Sequence, residues 1–350
     1  MAGRKQPPFR NAFATSAQAQ KDSRDRLRAG IEQRQRSPII LDPNDVSGDY
    51  DANRALLTTL GGQVRPITYA DIKEFQHTIA ALGKRFKGGI TAKQVIDLSM
   101  PGPRARANSQ IRTAFPTVNR GGRVMFQTNA GPGSTHKFHT VVVEFMNYEA
   151  CVTSPVPAQK IVKELVLGKI KIDCGCEDFR YRLRYIATKG NFAAGPWFEG
   201  GYPKLTNPLL LGVGCKHILR VMQVITASAA FTGFATKMIE RGRQTVLRKK
   251  QVVKVADAEK FLRAAKGERS RTRKISTSEE KRNARKAQPG YARMVEKAKQ
   301  RAAEKERAKM AKGRSAALAG IERHARELLS MGAINQKQFD QMMTAAKSGG

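Results

Sequence analysis

The spacing of apolar positions changes several times along the chain, and each change marks an element. After Pro66-Ile67-Thr68, apolar residues recur at Ile72, Phe75, Ile79 and Leu82, the period of a helix with one buried face. Thr68 is a good N-cap, and Asp71 stands where a carboxylate meets free N–H groups and the positive end of the helix dipole. Gly88-Gly89 breaks the run. Thr91 then caps a second helix through Val95, Ile96 and Leu98, which Pro101 and Pro103 are expected to stop. The period next shortens to two. Arg123–Thr128 and Lys137–Phe145 are rich in Val and Phe and flank the turn cluster Asn129-Ala130-Gly131-Pro132-Gly133, which predicts an antiparallel hairpin. Lys169–Asp173 alternates like a strand leading into a cysteine pair. From Cys215 to about Met238 the helical period returns, with Ile218, Val221, Met222 and Ile225 on one face.

These elements predict an α+β chain in five parts. Residues 1–45 form a polar, flexible arm with a short helix around Ser16–Gln35, and 46–105 form a helical segment. Residues 106–240 form a β-rich domain. Residues 241–314 are dominated by Lys and Arg, with helices near Asp257–Ala265 and Tyr291–Lys312 that carry no core-forming stripe. In 315–350, Ile321, Leu328 and Leu329 lead to Gly332, and Asn335 caps a helix with Phe339, Met342 and Met343, which together predict a small helical hairpin. No solenoid-type repeat is present.

Charge changes this picture most. The chain has 350 residues, a hydrophobic fraction of 40% and a formal net charge of +35. A body so basic repels itself, so nucleic acid or an acidic protein surface is the expected partner, unless the excess is simply solvated. Candidate contacts are Arg248, Lys249, Lys250, Arg269, Arg271, Arg273 and Lys274. No apolar run is long enough to span a membrane, and the basic N-terminus is followed by no apolar signal core. Four cysteines, two of them one residue apart, suit a reducing compartment and metal binding better than a disulfide framework.

The strongest chemical signal is Cys174-Gly175-Cys176 with Cys215-Lys216-His217. Zinc takes four N/S ligands in a tetrahedron. A one-residue gap across Gly lets two thiolates converge, and a Cys just before a helix with a His in its first turn can meet the same point. Structural Zn2+ at Cys174, Cys176, Cys215 and His217 is therefore expected, with a filled shell that leaves no position for hydrolytic water. Cys151 reads as a buried thiol. His77, His136, His139 and His324 have no partner at ligand spacing, and His136 and His139 are expected to face differently. Residues 177–214 interleave aromatics with arginines, a mixture that either stacks on bases or packs against the zinc unit.

The ligand pattern resembles the SWIM-type zinc finger, Cys-x-Cys followed by Cys-x-His in a ββα unit, here spanning 165–230 with an unusually long gap. Three further segments, Gly88–Ser99, Cys174–Phe179 and Gly200–Pro208, are similar to uncharacterised structural proteins of tailed bacteriophages with a SWIM-like zinc centre. The final hairpin resembles a short C-terminal oligomerisation-type module. These resemblances imply a zinc-stabilised, non-enzymatic protein of a phage virion, touching other virion proteins and nucleic acid or acidic surfaces, with self-association allowed and no membrane. The alternative expectation is a soluble DNA- or RNA-binding regulator in the host cytoplasm. No phosphate-cradling glycine loop, nucleophile elbow or paired-carboxylate motif points to an enzyme.

Overall fold

The computed structural model describes residue 25 and residues 57–86, 88–244, 251–268 and 273–348. The expected polar arm thus lies outside the described residues, Asp25 excepted. Chain contacts separate one unit through Ser278 from a second beginning at Glu279.

In the first unit, β1 (Leu57–Thr58) pairs antiparallel with β2 (Arg65–Pro66). α1 (Tyr69–Arg85) follows as expected. The Thr68 hydroxyl accepts from the Asp71 N–H, and the Asp71 carboxylate accepts from the Thr68 N–H at 2.8 Å, which satisfies two free donors of the first turn. Ile72, Phe75 and Leu82 are buried. β3 (Ile90–Thr91) leads to α2 (Ala92–Asp97), which Thr91 and Gln94 cap in the same reciprocal manner. Pro101 and Pro103 do more than stop α2. Pro101 opens α3 (Pro101–Gln110), because the first helical position needs no N–H and a proline is already fixed at a helical φ.

The sheet is larger than the expected hairpin. β4 (Ala114–Arg120) joins β5 (Arg123–Asn129) through Gly121-Gly122, with φ of 55° and 79°. Both glycines take the left-handed conformation that a two-residue hairpin turn demands, and a Cβ on Gly122 would also overlap the Tyr148 ring. β6 (Phe138–Phe145) alternates strictly between buried and half-buried residues. Two short helices, α4 (Tyr148–Thr153) and α5 (Ala158–Leu167), return the chain to β7 (Lys169–Cys174). A π-helical turn (Phe179–Leu183) runs into α6 (Arg184–Lys189), then α7 (Lys216–Ala227) and α8 (Ala229–Gln244) follow with a break at Ser228. β8 (Gln251–Val252) and α9 (Val255–Gly267) complete the packing. The strand order is β3-β7-β6-β5-β4-β8, antiparallel throughout.

α7 lies against β4–β7 and contacts α2 and α3, while α8 rests on α4 and α5. On α8, Phe231 meets Phe126 at 5.7 Å and Phe145 at 6.1 Å between centroids, which ties that helix to the sheet. α9 corrects the expectation of a helix without a core stripe. Ala258, Phe261 and Leu262 are buried, a short i, i+3, i+4 set masked in the sequence by the surrounding charge. No single helix among the described residues is long and apolar enough to cross a membrane. The bent α7–α8 pair has the length and composition, but eight of α7's residues are buried in this core.

α10 (Ser278–Lys286) starts at the last residue of the first unit, and α11 (Tyr291–Ser330) follows in the second, its forty residues burying only Ala325. Past Ser330 the chain turns at Gly332, φ 70°, where Ala333 N–H donates to the Leu328 carbonyl and Gly332 N–H to that of Leu329. This pair of bonds closes a helix end with a left-handed glycine. Asn335 caps α12 (Gln336–Ser348), which packs back on α11. The first arm of the hairpin is the end of one forty-residue helix, not an element of its own within 315–350, because no helix-breaking proline separates 291–312 from 315–330.

Candidate metal centre

The pairing of β6 with β7 sets Cys174 opposite Val141, and the Gly175 N–H donates to the Thr140 carbonyl at 3.1 Å. The chain then turns, so that Cys176 faces back towards Cys174. Cys215 is the N-cap residue of α7, and its carbonyl accepts from Leu219 N–H to start the helix. His217 follows in the first turn. The three Sγ atoms and an imidazole nitrogen all lie within 4.8 Å of one another, and all four residues are buried. A zinc tetrahedron with about 2.3 Å bonds to sulfur has edges near 3.8 Å, so small side-chain adjustments suffice to close it.

The polar atoms of the cluster also fit a cation. Both ring nitrogens of His217 are buried and without a hydrogen-bond partner, an arrangement that costs free energy unless something binds one of them. The Phe179 N–H donates to Cys176 Sγ at 3.4 Å, as suits a sulfur carrying negative charge. Hydrogen bonds from Cys174 and Cys215 hold the Cys176 thiol well below its ordinary range, whereas burial pushes Cys174 and Cys215 well above theirs. A divalent cation would displace the remaining thiol protons. The group can therefore hold a metal ion such as zinc, and with four N/S ligands it would fill a tetrahedral shell.

Residues 177–214 pack most of their aromatics inward. Phe179, Tyr185, Phe192 and Tyr202 are buried, whereas Phe198 is 62% exposed. Tyr202 meets Phe75 at 4.3 Å, the rings tilted by 31°, and Tyr185 at 5.2 Å. Ile172 of β7 exchanges backbone hydrogen bonds with Phe192 and Ala194, so the insertion is joined to the ligand-bearing strand. Arg184, 1% exposed, donates to Asp173 and to the Cys174 carbonyl.

Two features near the cluster had no signal at ligand spacing. The His139 ring packs on His217 at 4.3 Å between centroids, and His136 reaches within 6.1 Å of His139, so the two rings meet rather than diverge. His139 lies two residues before Val141, on the sheet face shared with that partner of Cys174. Cys151 is a buried free thiol, as expected.

Of the candidate nucleic-acid contacts, Arg248, Lys249, Lys250, Arg269 and Arg271 lie outside the described residues. Arg273 and Lys274 are exposed and line a cleft of about 940 Å³ with Arg112 and Lys266. The Arg273 carbonyl accepts from Arg220, whose guanidinium also binds the carbonyls of Ile111 and Ala107. That basic edge therefore reaches the core through its backbone. No protein-family model, curated protein or solved structure matches the chain.

Proposed function

We propose that the protein is a non-enzymatic structural component of a bacteriophage particle, held in shape by zinc at Cys174, Cys176, Cys215 and His217. The observation that carries the structural role is the buried Cys3His group, which joins the end of β7 to the start of α7. A cation there ties two elements some forty residues apart in the chain, and its filled shell serves the fold rather than a substrate. The resemblance of the cysteine motifs to the SWIM-type finger, and of three segments to phage structural proteins, supports the particle as its location. The test is stoichiometric: the chain should be recovered by mass spectrometry from purified particles, with one zinc per chain. Absence from particles overturns the reading.

One observation favours a second reading, a soluble nucleic-acid-binding regulator. In the unit from Glu279 onward, Lys and Arg outnumber Asp and Glu about two to one, and α11 is almost wholly exposed. A helix with that surface suits a polyanion. Steeply salt-dependent binding by protein purified from cells, together with absence from particles, would select this reading.

A further inference from the structure

Beside the Cys3His group lies a cavity of about 480 Å³, lined by the turn 131–136 and by Arg180, Lys216, Cys176 and His217. Arg180 is 5% exposed, yet its Nε has no hydrogen-bond partner. Among the described residues no carboxylate pairs with it. Its neighbour is the Tyr181 ring, 5.9 Å from the guanidinium carbon. Other buried arginines of this unit are anchored: Arg184 by Asp173, Arg220 by three carbonyls. A buried guanidinium N–H without an acceptor costs free energy, so Arg180 is poised for an anion supplied from outside the fold.

Lys216 brings a second positive charge to the lining. Lys216 donates to Gln110 at 2.8 Å and packs so closely on Gly131 that a Cβ there would overlap its ammonium. It is the first residue of α7, a twelve-residue helix whose N-cap makes no side-chain hydrogen bond, so the N–H groups of its first turn add positive potential. The Ser134 hydroxyl accepts from the His136 N–H at 3.2 Å and keeps its own proton to donate. Two acidic residues also border the space, but Arg182 pairs with Asp178 at 2.7 Å, and Glu177 is exposed.

We propose that this cavity binds one phosphate group, held between Arg180 and Lys216 next to the metal centre. Several separate donors suit an anion whose oxygens point several ways, whereas a carboxylate presents two in one plane. The proposal does not depend on the particle reading.

The test is calorimetric titration of the metal-loaded full chain with inorganic phosphate. Saturable binding at one site is expected, weakened roughly tenfold or more in Arg180→Met and in Lys216→Gln, with metal content unchanged. Lys216→Gln, which leaves the buried Arg180 in place, keeps the test valid should Arg180→Met fold poorly. An unphosphorylated oligothymidylate that competes with phosphate would identify the nucleic-acid backbone as the source of the group; lack of competition would identify a free phosphate or small phosphoester. Absence of saturable phosphate binding, or binding unchanged in the folded variants, overturns the proposal.

Discussion

Arg184 Nε lies 2.9 Å from Asp173 Oδ1, in a pair almost sealed from solvent. The same guanidinium donates to the Cys174 carbonyl at 3.1 Å, so one side chain of the insertion fixes both the residue before the first ligand and the ligand's own backbone. Burial pushes the Asp173 carboxyl up to about 6, although Arg184 pulls it the other way. Arg184→Met should leave that carboxylate without its counter-charge and cost about 3–5 kcal/mol. It should also lower metal affinity by about tenfold to a hundredfold, because the support around a ligand sets its orientation. The double variant Arg184→Met/Asp173→Asn should recover much of the stability. Chemical denaturation with a metal-competition assay measures both effects, and a double variant no more stable than the single one would contradict this account.

Cys215→Ala removes a ligand and leaves the helix N-cap without its sulfur. Structural zinc contributes on the order of 10 kcal/mol to coupled folding, about as much as the whole margin of a typical domain. Bound metal should fall below one equivalent, and the cooperative melting of the unit through Ser278 should be lost. Hydrogen exchange should confine the loss to that unit, with α11 and α12 keeping their protection. An unchanged thermal transition would show that the cluster does not hold the fold.

What the sequence made visible here was local. The caps at Thr68 and Thr91, the hairpin of β5 and β6, and the Cys-x-Cys and Cys-x-His ligands all declare themselves within a few residues. β4 escaped because Pro116 interrupts its run. The strand accommodates the proline at a register shift between Pro116 and Val118, where the lost N–H matters least. β3 and β8 are two residues long and exist only through their partners. Arg180, Arg184 and His139 acquire their surroundings from the fold of the insertion and from sheet register. No spacing rule reaches across those distances, and a charge count reads the arginines as surface.

The Thr68–Asp71 cap gives a stability signal on the acid side. Hydrogen bonding from Arg65, at 2.7 and 2.8 Å, together with the Thr68 donors, holds the Asp71 carboxyl well below its usual value. The unfolded chain therefore takes up this proton first as pH falls. The contribution is complete above the ordinary aspartate range near about 4 and is lost as the pH drops through it and below. Asp71→Asn should flatten that part of the acid limb, while Thr68→Ala should cost about 1 kcal/mol at neutral pH. Urea denaturation across an acidic pH series measures both, and an acid limb identical in Asp71→Asn and the parent would rule out this origin.

Truncation after Ser278 separates the roles of the basic segments more cleanly than a cut at residue 240. The segment from β8 through α9 lies beyond residue 240 yet buries Val253, Ala258, Phe261 and Leu262, and Ile275 is buried with them. The Ser278 N–H and hydroxyl are both bound by the Asp97 carboxylate. A cut at 240 would therefore open the core and confuse lost binding with lost folding. A chain ending at Ser278 should keep its metal and its melting transition. If α11 supplies cations to a polyanion, the truncated chain should bind nucleic acid with a shallower dependence on salt, the slope falling by about 0.7–0.9 for each phosphate contact removed. Filter-binding or anisotropy measurements over a salt series give that slope directly. An unchanged slope in a folded, metal-loaded truncation would move the contacts to the first unit, where Arg273 and Lys274 remain exposed on the cleft beside α9.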